Sequence, residues 1–393
     1  MTERSFIILG AGFSYHAGLP LANNIRDYFV RDNIDKILKF NSGESKWVDF
    51  ASEADSNNGK GFDHLAYGYI LNVLVKRFIH ARGSFTNYED MYQYILDNLK
   101  VKGFLASILV EAKEICLKDR PHLAENPLKE NYMYAFVHTD PGHLTSLLNH
   151  LIADLLFWRK NPETFVGKYK PFLSILSKCR NVTITTLNHD LLLEFLLENI
   201  LSRPYSDGFT IDQKTLFSEK GKALNVFQNL FKEEVNVIKL HGSLDTYKYI
   251  FYNEKLESST VVATGDYMYF KTMDYYEKQH PERHDPETGK KTQTFHFEIT
   301  PQFITGTNKP PLIASDNMYS LLYKKMEVEI MSAESLLLIG YSYGDKHVNE
   351  QIEHAIKAGK IKSITNINPG MKFPFDVNGI KVINMSDISE LNQ

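Results

Sequence analysis

The chain has 393 residues, 43% of them hydrophobic, and a formal net charge of −4, which argues against a nucleic-acid surface built on bulk positive charge. Two cysteines, Cys116 and Cys179, are too few for a four-cysteine zinc module or a disulfide framework, so no bound zinc is expected. No apolar run reaches the ~18 residues that cross a bilayer and no signal peptide is recognised, so we expect a cytoplasmic protein without a membrane anchor.

The first predicted element is a strand, the continuous apolar run of residues 5–9. A glycine turn follows, and then a helix is predicted from about residue 21 to residue 39. Residues 41–62 are rich in turn-forming residues and are predicted to be a loop. Apolar residues then recur at helical spacing, which predicts five helices over residues 63–82, 88–100, 101–118, 141–159 and 168–178.

Strands and helices alternate from residue 181 onward. Strands are predicted at 181–186, 236–240, 335–339, 362–367 and 380–384, helices from about 191 and over 316–333 and 345–358, and a surface loop over 277–296. This alternation predicts an α/β fold with a Rossmann-like, doubly wound parallel sheet. We expect a single domain over 1–393, with the sheet from 1–24 and 181–393 and a large inserted helical subdomain over 25–180.

Five short polar or glycine-rich segments follow predicted strands. Because ligands of open α/β sheets bind outside the carboxyl ends of the strands, these segments are expected to converge on one nucleotide pocket. They are Gly10-Ala11-Gly12-Phe13-Ser14, Thr186-Leu187-Asn188-His189-Asp190, Lys239-Leu240-His241-Gly242-Ser243, Ile339-Gly340-Tyr341-Ser342 and Asn368-Pro369.

The glycine turn and the Asn188 segment each admit two interpretations. Gly10 and Gly12 allow the backbone to approach a phosphate at the start of a helix, but Tyr15 stands where the usual dinucleotide fingerprint has its third glycine. The alternative is a tight strand–helix turn without a ligand. Asn188 and Asp190 suit contacts to a ribose and a carboxamide, and the alternative is that one of them caps the next helix.

His241 is the candidate general base, because an imidazole titrates near neutral pH. We expect the small Gly242 to leave the ring exposed towards the cleft; the alternative is a structural histidine at a strand end. Gly340 and Ser342 suit a ribose or phosphate contact, and Asn368 suits an adenosine ribose. Asp345 is expected to cap the following helix.

Taken together in this order, the five segments resemble the sirtuin family, and more closely its bacterial branch of NAD hydrolases used in defence against phage. The resemblance covers about residues 4–24 and 181–370. It implies that NAD is the substrate and that Asn188 and His241 are catalytic. It further implies that the phosphates lie at the glycine turn, the nicotinamide near Asp190, and the adenosine half near Gly340, Ser342 and Asn368. The full set of implied NAD-binding residues is Gly10, Ala11, Gly12, Ser14, Pro20, Thr186, Asp190, Gly340, Ser342 and Asn368.

Two departures favour plain NAD hydrolysis over protein deacetylation: the missing zinc module, and Leu187 in place of the glutamine that precedes the asparagine in deacetylating sirtuins. The resemblance further suggests a role in abortive infection, a homo-oligomer and a HerA-type ATPase partner. The alternatives are a module that senses NAD or ADP-ribose without turnover, and a protein ADP-ribosyltransferase.

Overall fold

A computed structural model describes most of the chain. The described residues are 4–29, 62–84, 87–125, 136–137, 139–157, 161–212, 214–218, 220–252, 263–272, 281–294, 301–306 and 309–392. The described residues exclude the second part of the helix predicted over 21–39 and nearly all of the loop predicted over 41–62. Residue 62, the last of that predicted loop, is described and begins a helix.

The described residues contain thirteen strands. In chain order they are β1 Ser5–Leu9, β2 Val182–Thr186, β3 Gly208–Ile211, β4 Leu216–Phe217, β5 Asn225–Leu230, β6 Val235–Lys239, β7 Thr246–Tyr252, β8 Ala263–Lys271, β9 Glu282–His284, β10 Lys291–Thr294, β11 Ser335–Ile339, β12 Ser363–Ile367 and β13 Lys381–Met385.

The α-helices of the described residues number twelve. They are α1 Ala11–Tyr15, α2 Ala22–Phe29, α3 Phe62–Arg82, α4 Tyr88–Leu99, α5 Phe104–Asp119, α6 His122–Glu125, α7 Pro141–Leu156, α8 Val166–Lys178, α9 Leu192–Phe195, α10 Lys309–Ser315, α11 Asn317–Met331 and α12 Lys346–Lys357. A π-helical turn, Leu196–Ile200, follows α9, and two 3₁₀ turns cover Pro162–Thr164 and Ile388–Asn392.

The central sheet has six strands in the order β13-β12-β11-β1-β2-β6, and every neighbouring pair is parallel. Alternate residues of β1 enter two different cores: Ile7 and Leu9 pack with α8, whereas Phe6 and Ile8 pack with α11 and α12. Helices therefore cover both faces, and the predicted doubly wound α/β fold is confirmed.

The register of the sheet aligns the carboxyl ends of its strands. Leu9 lies beside Thr186 and Ile339, Thr186 lies beside Lys239, and Ile339 lies beside Ile367. The residues that follow β12, β11, β1, β2 and β6 therefore emerge at one level and in neighbouring positions. This alignment is what brings the five sequence segments to the same edge of the sheet.

Two smaller antiparallel sheets follow the order β3-β5-β8-β7 and β10-β9-β4. The second corrects the surface loop predicted over 277–296, because Glu282–His284 and Lys291–Thr294 pair as strands there. Their residues are charged or polar, and those of Glu282–His284 are partly exposed, so no apolar period marks them in the sequence.

The chain divides into two compact units. The sheet unit comprises Met1–Leu19, Phe157–Ile304 and Pro310–Gln393, and the helical unit comprises Pro20–Leu156 and Thr305–Lys309. Each holds one buried cysteine, Cys179 in the first and Cys116 in the second.

Inside the helical unit, α3 and α5 pack together and are joined by the Arg77–Glu111 ion pair at 2.6 Å. Among the described residues, no helix is both long and apolar enough to span a membrane.

Candidate active site

The glycine turn after β1 packs directly against the turn after β11. The Gly12 amide donates to the Gly340 carbonyl oxygen at 3.1 Å, and the Gly10 amide donates to the Ile339 carbonyl oxygen at 3.0 Å. A Cβ added to Gly10 would lie 2.4 Å from the Gly340 oxygen, and one added to Gly12 would lie 2.6 Å from the Gly340 Cα. Both glycines are thus required by contact between two turns, a reason that their sequence spacing alone does not reveal.

Asn188 ties the β2 segment to the same glycine turn. Its side-chain amide donates to the Gly10 carbonyl oxygen at 2.9 Å and to the Ser14 hydroxyl at 3.0 Å. The Thr186 hydroxyl in turn accepts from the Asn188 backbone amide at 3.1 Å. Asn188 is half-buried, so its side chain is held in place while part of it still meets solvent.

Asp190 has a local structural role. Its carboxylate accepts from the Leu192 amide at 3.0 Å, which fixes the start of α9, and its side chain is buried. This contact starts one residue before the cap position of α9, which is Leu191, so neither Asp190 nor Asn188 occupies the cap itself.

His241 is buried, with 4% of its surface exposed, so the expectation that its ring is exposed towards the cleft is wrong. The reason lies in Gly242, which has a φ of +85° and packs where an added Cβ would be 2.1 Å from the Gln302 carbonyl oxygen. The small glycine admits a neighbouring backbone segment instead of opening a cleft. The Ile304 amide also donates to the His241 carbonyl oxygen at 2.9 Å.

The His241 ring contacts the loop after β11. Its Nε2 lies 3.0 Å from the Asp345 Oδ2. The other carboxylate oxygen of Asp345 accepts from the Val348 amide at 3.3 Å, so the predicted cap of α12 is confirmed. The pairing with His241 could not be predicted, because the two residues are 104 positions apart and no local pattern joins them.

Asn368 completes the set of contacts. Its side-chain amide donates to the Tyr341 carbonyl oxygen, and its backbone amide donates to the Met385 carbonyl oxygen at 2.9 Å. Direct hydrogen bonds thus connect Asn188 to the glycine turn, that turn to Gly340, and the Gly340 loop to both Asn368 and His241. The structure brings all five segments together, as their positions at strand ends indicate.

Three more predicted binding residues take no part in the hydrogen bonds described above. Ala11 and Ser342 are exposed, and Pro20 is half-buried at the first residue of the helical unit. Contacts of these residues with a nucleotide remain predictions.

A buried charged cluster beside the site was missed by sequence reasoning. Lys239 Nζ lies 2.9 Å from Glu194 Oε1 and also donates to the Asp190 carbonyl oxygen. Lys271 Nζ lies 2.6 Å from Asp207 Oδ2 and 3.1 Å from Asp245 Oδ2. A lysine at the end of the largely apolar strand β6 is the one sequence signal that could have indicated it.

The pKa directions in this cluster follow from burial and charge. Burial raises the pKa of Glu194, and the Lys239 charge only partly opposes this. For Asp245 burial acts in the same upward direction, but the charges of Lys271 and Lys239 outweigh it and lower the pKa. For Lys271 burial alone would lower the pKa, but Asp207 and Asp245 raise it well above its usual value. Asp245 and Lys271 therefore remain charged across the neutral range.

Within the described part of the chain, no group of three or more histidine, cysteine or acidic side chains is arranged to hold a metal ion.

Residues 182–365, slightly less than half of the chain, match the family model of the SIR2-like domain. No curated protein matches the chain.

Solved structures are similar only at a low level. Sir2Tm bound to a propionylated peptide is 13% identical, with 99% of this chain and 90% of that chain covered and a TM-score of 0.29. A structure from work on the structural basis of sirtuin substrate affinity is 12% identical, with 99% and 91% covered and a TM-score of 0.30. At TM-scores of 0.29 and 0.30, these structures do not bear on the fold or the function of this chain. The match that bears on function is the SIR2-like one over residues 182–365.

Proposed function

We propose that this SIR2-like, sirtuin-like chain is an NAD hydrolase that cleaves the bond between nicotinamide and ribose. The observation that carries the proposal is the joining of Asn188 and His241 to one pair of glycine turns by direct hydrogen bonds. A sheet edge with a fixed amide, an imidazole and two close glycine turns suits a dinucleotide. The phosphates would lie at Gly10, Ala11, Gly12 and Ser14.

The reaction requires the protein to orient the substrate and the water and to supply one general base. The nicotinamide ring nitrogen carries a positive charge in NAD, so it leaves as neutral nicotinamide with the bonding electron pair and needs no general acid. A water oxygen adds to C1′ through an oxocarbenium-like transition state. Asn188 orients the ribose or this water, and His241 accepts the proton that the water loses. The products are nicotinamide, ADP-ribose and a proton.

The burial of His241 supports the proposal that activity is gated. A histidine that is 4% exposed must become accessible before water and C1′ can reach its ring. We propose that homo-oligomerisation or a HerA-type ATPase partner opens the site, and that NAD depletion then serves abortive infection in bacterial anti-phage defence. The helical unit is the candidate assembly surface, since Val101 and Val110 are exposed there.

The decisive experiment is chromatography of NAD incubated with the purified chain, alone and co-expressed with a HerA-type ATPase. We expect little nicotinamide from the chain alone and equal amounts of nicotinamide and ADP-ribose from the complex. His241→Ala should lower kcat by about 10²–10⁴, since a general base contributes that much. Asn188→Ala should also lower kcat, because the ribose or the water loses the group that orients it. His354→Ala and Asn199→Ala, the same substitutions at exposed positions, are the matched controls.

Unchanged turnover in both His241→Ala and Asn188→Ala contradicts the catalytic assignment. The burial of His241 also favours a second candidate, a module that binds NAD or ADP-ribose without turnover. Saturable NAD binding to the complex without release of nicotinamide would establish that candidate in place of the hydrolase.

A further inference from the structure

The contact between His241 and Asp345 joins two ionisable side chains that are almost completely withdrawn from solvent. Their side chains are 5% and 7% exposed, and the distance from Nε2 to Oδ2 is 3.0 Å. His241 follows β6, whereas Asp345 precedes α12, so the pair links two separate elements of the sheet unit. A buried carboxylate needs partners that donate hydrogen bonds, and the imidazole supplies one.

The position of Asp345 is fixed independently of His241. Its Oδ1 accepts from the Val348 amide at 3.3 Å, as a helix cap does. The Tyr341 hydroxyl lies 3.1 Å from the Asp345 carbonyl oxygen and 2.7 Å from Asn349 Oδ1. Asn349 in turn donates to the Tyr343 carbonyl oxygen at 2.8 Å. The carboxylate is therefore a rigid reference point for the ring.

The carboxylate also determines where the imidazole carries its proton. An ionised carboxylate can only accept hydrogen bonds, so the neutral imidazole donates from Nε2. The lone pair is then on Nδ1, which makes Nδ1 the nitrogen that can take a further proton. When that proton arrives, the carboxylate 3.0 Å from the ring stabilises the imidazolium.

We propose that Asp345 is a positioning residue for the reaction: it fixes the tautomer and orientation of His241 and stabilises the charge that His241 gains. This inference rests on the proposed hydrolysis, in which His241 accepts a proton from water. It assigns Asp345 a second role beside the cap of α12.

Asp345→Asn separates the two roles. Asparagine caps helices about as well as aspartate, so α12 should keep its start. With its oxygen on the Val348 amide, the new amide NH₂ faces His241 and donates to Nε2, which moves the ring proton to Nδ1. We expect kcat to fall by about 10²–10⁴ in the activated complex, while KM for NAD changes less than about threefold. Asp316→Asn makes the same change at the cap of α11 and should leave kcat unchanged.

A double variant tests whether Asp345 acts through His241. The kcat of His241→Ala/Asp345→Asn should equal that of His241→Ala alone, because the positioning residue has nothing left to position. A further fall by the full Asp345→Asn factor means independent action and overturns the proposal.

Nitrogen NMR of histidine-labelled protein reads the tautomer without substrate, with the His241 signal assigned by its loss in His241→Ala. We expect the proton on Nε2 in the wild type and on Nδ1 in Asp345→Asn. A wild-type ring that is protonated on Nδ1 overturns the proposal, whatever the turnover. If the wild-type complex releases no nicotinamide while the ring carries its proton on Nε2, the hydrolase proposal fails and the tautomer assignment stands.

Discussion

Polar groups are arranged differently at the two ends of the central sheet. At the carboxyl ends, backbone turns meet at close range and the side-chain amides of Asn188 and Asn368 donate to main-chain oxygens. At the amino ends, polar and apolar side chains line a cavity of about 280 Å³. Lys325 and Glu329 pair there at 2.7 Å, and each is about a quarter exposed. The first arrangement is fixed by direct hydrogen bonds between its segments, whereas the ion pair of the second is partly open to solvent. Fixed geometry is what a site of chemistry needs, so the comparison favours the carboxyl end.

The largest effect on stability and activity is expected from Gly340→Ala, which disrupts the contact between the two glycine turns. Gly340 has a φ of +62°, and an added Cβ would lie 2.3 Å from the Phe13 nitrogen and 2.4 Å from the Gly12 Cα. Strain and overpacking together should lower the free energy of unfolding by about 3 kcal/mol or more and abolish nicotinamide release. Urea denaturation and the NAD assay measure the two losses.

Gly344→Ala is the matched control for that loop. Its added Cβ would meet only the Ser342 hydroxyl, at 3.6 Å, which is an ordinary contact. We expect a change within about 0.5 kcal/mol. Equal losses in the two variants would show that the close approach of Gly340 to Gly12 does not determine the stability of this edge.

A smaller effect is expected from Asp245→Asn, which perturbs the charged cluster beside the site. The substitution leaves Lys271 with Asp207 as its remaining partner at 2.6 Å. Removing one partner of a buried pair costs about 3–5 kcal/mol, and the second carboxylate should limit the loss to about 2 kcal/mol at pH 7.

The loss should also depend on pH. The pKa of Asp245 is lower in the folded state than its usual 3.8, so its contribution is present above that pH and disappears as the pH falls through the folded value. Urea denaturation of both proteins from pH 7 to pH 3 should show the difference shrinking below about pH 4. A difference that grows in acid contradicts the lowered pKa.

The smallest effect is expected at the amino end, from Glu329→Gln. The variant loses the charge that pairs with Lys325 and keeps an oxygen for the Thr183 hydroxyl, which donates to Glu329 at 3.2 Å. A partly exposed pair contributes little, so we expect about 0.5 kcal/mol or less and unchanged nicotinamide release. A large loss of turnover would mean that the amino end, too, takes part in function.

The parallel sheet was predictable because a buried strand is marked by a run of apolar residues at adjacent positions. The run Ser335–Ile339 and the helix Phe62–Arg82 were predicted to within one residue, since continuous apolar residues and helical spacing are properties of adjacent positions. The antiparallel sheet was missed, although Thr246–Tyr252 alternates and buries Tyr247 and Tyr249. There a period of two was available as a signal.

The arrangement of the site was only partly predictable, and the reason is sequence distance. That polar residues follow the strands could be read locally, and their convergence follows from parallel topology. The burial of His241 depends on Gln302 and Asp345, which lie 61 and 104 positions further along the chain. Contacts of that separation leave no periodic trace in a single sequence.

The two buried thiols give each compact unit its own reporter of transient opening. Cys116 and Cys179 are 1% and 3% exposed, and burial raises the pKa of Cys116 to about 11, so a labelling reagent meets a reactive thiolate only when the surrounding structure opens. The rates at which the two thiols are alkylated therefore measure separately how often the helical unit and the sheet unit open in the native protein. Adding a nucleotide that binds the sheet edge would slow the labelling of Cys179 in proportion to its affinity, without any engineered probe.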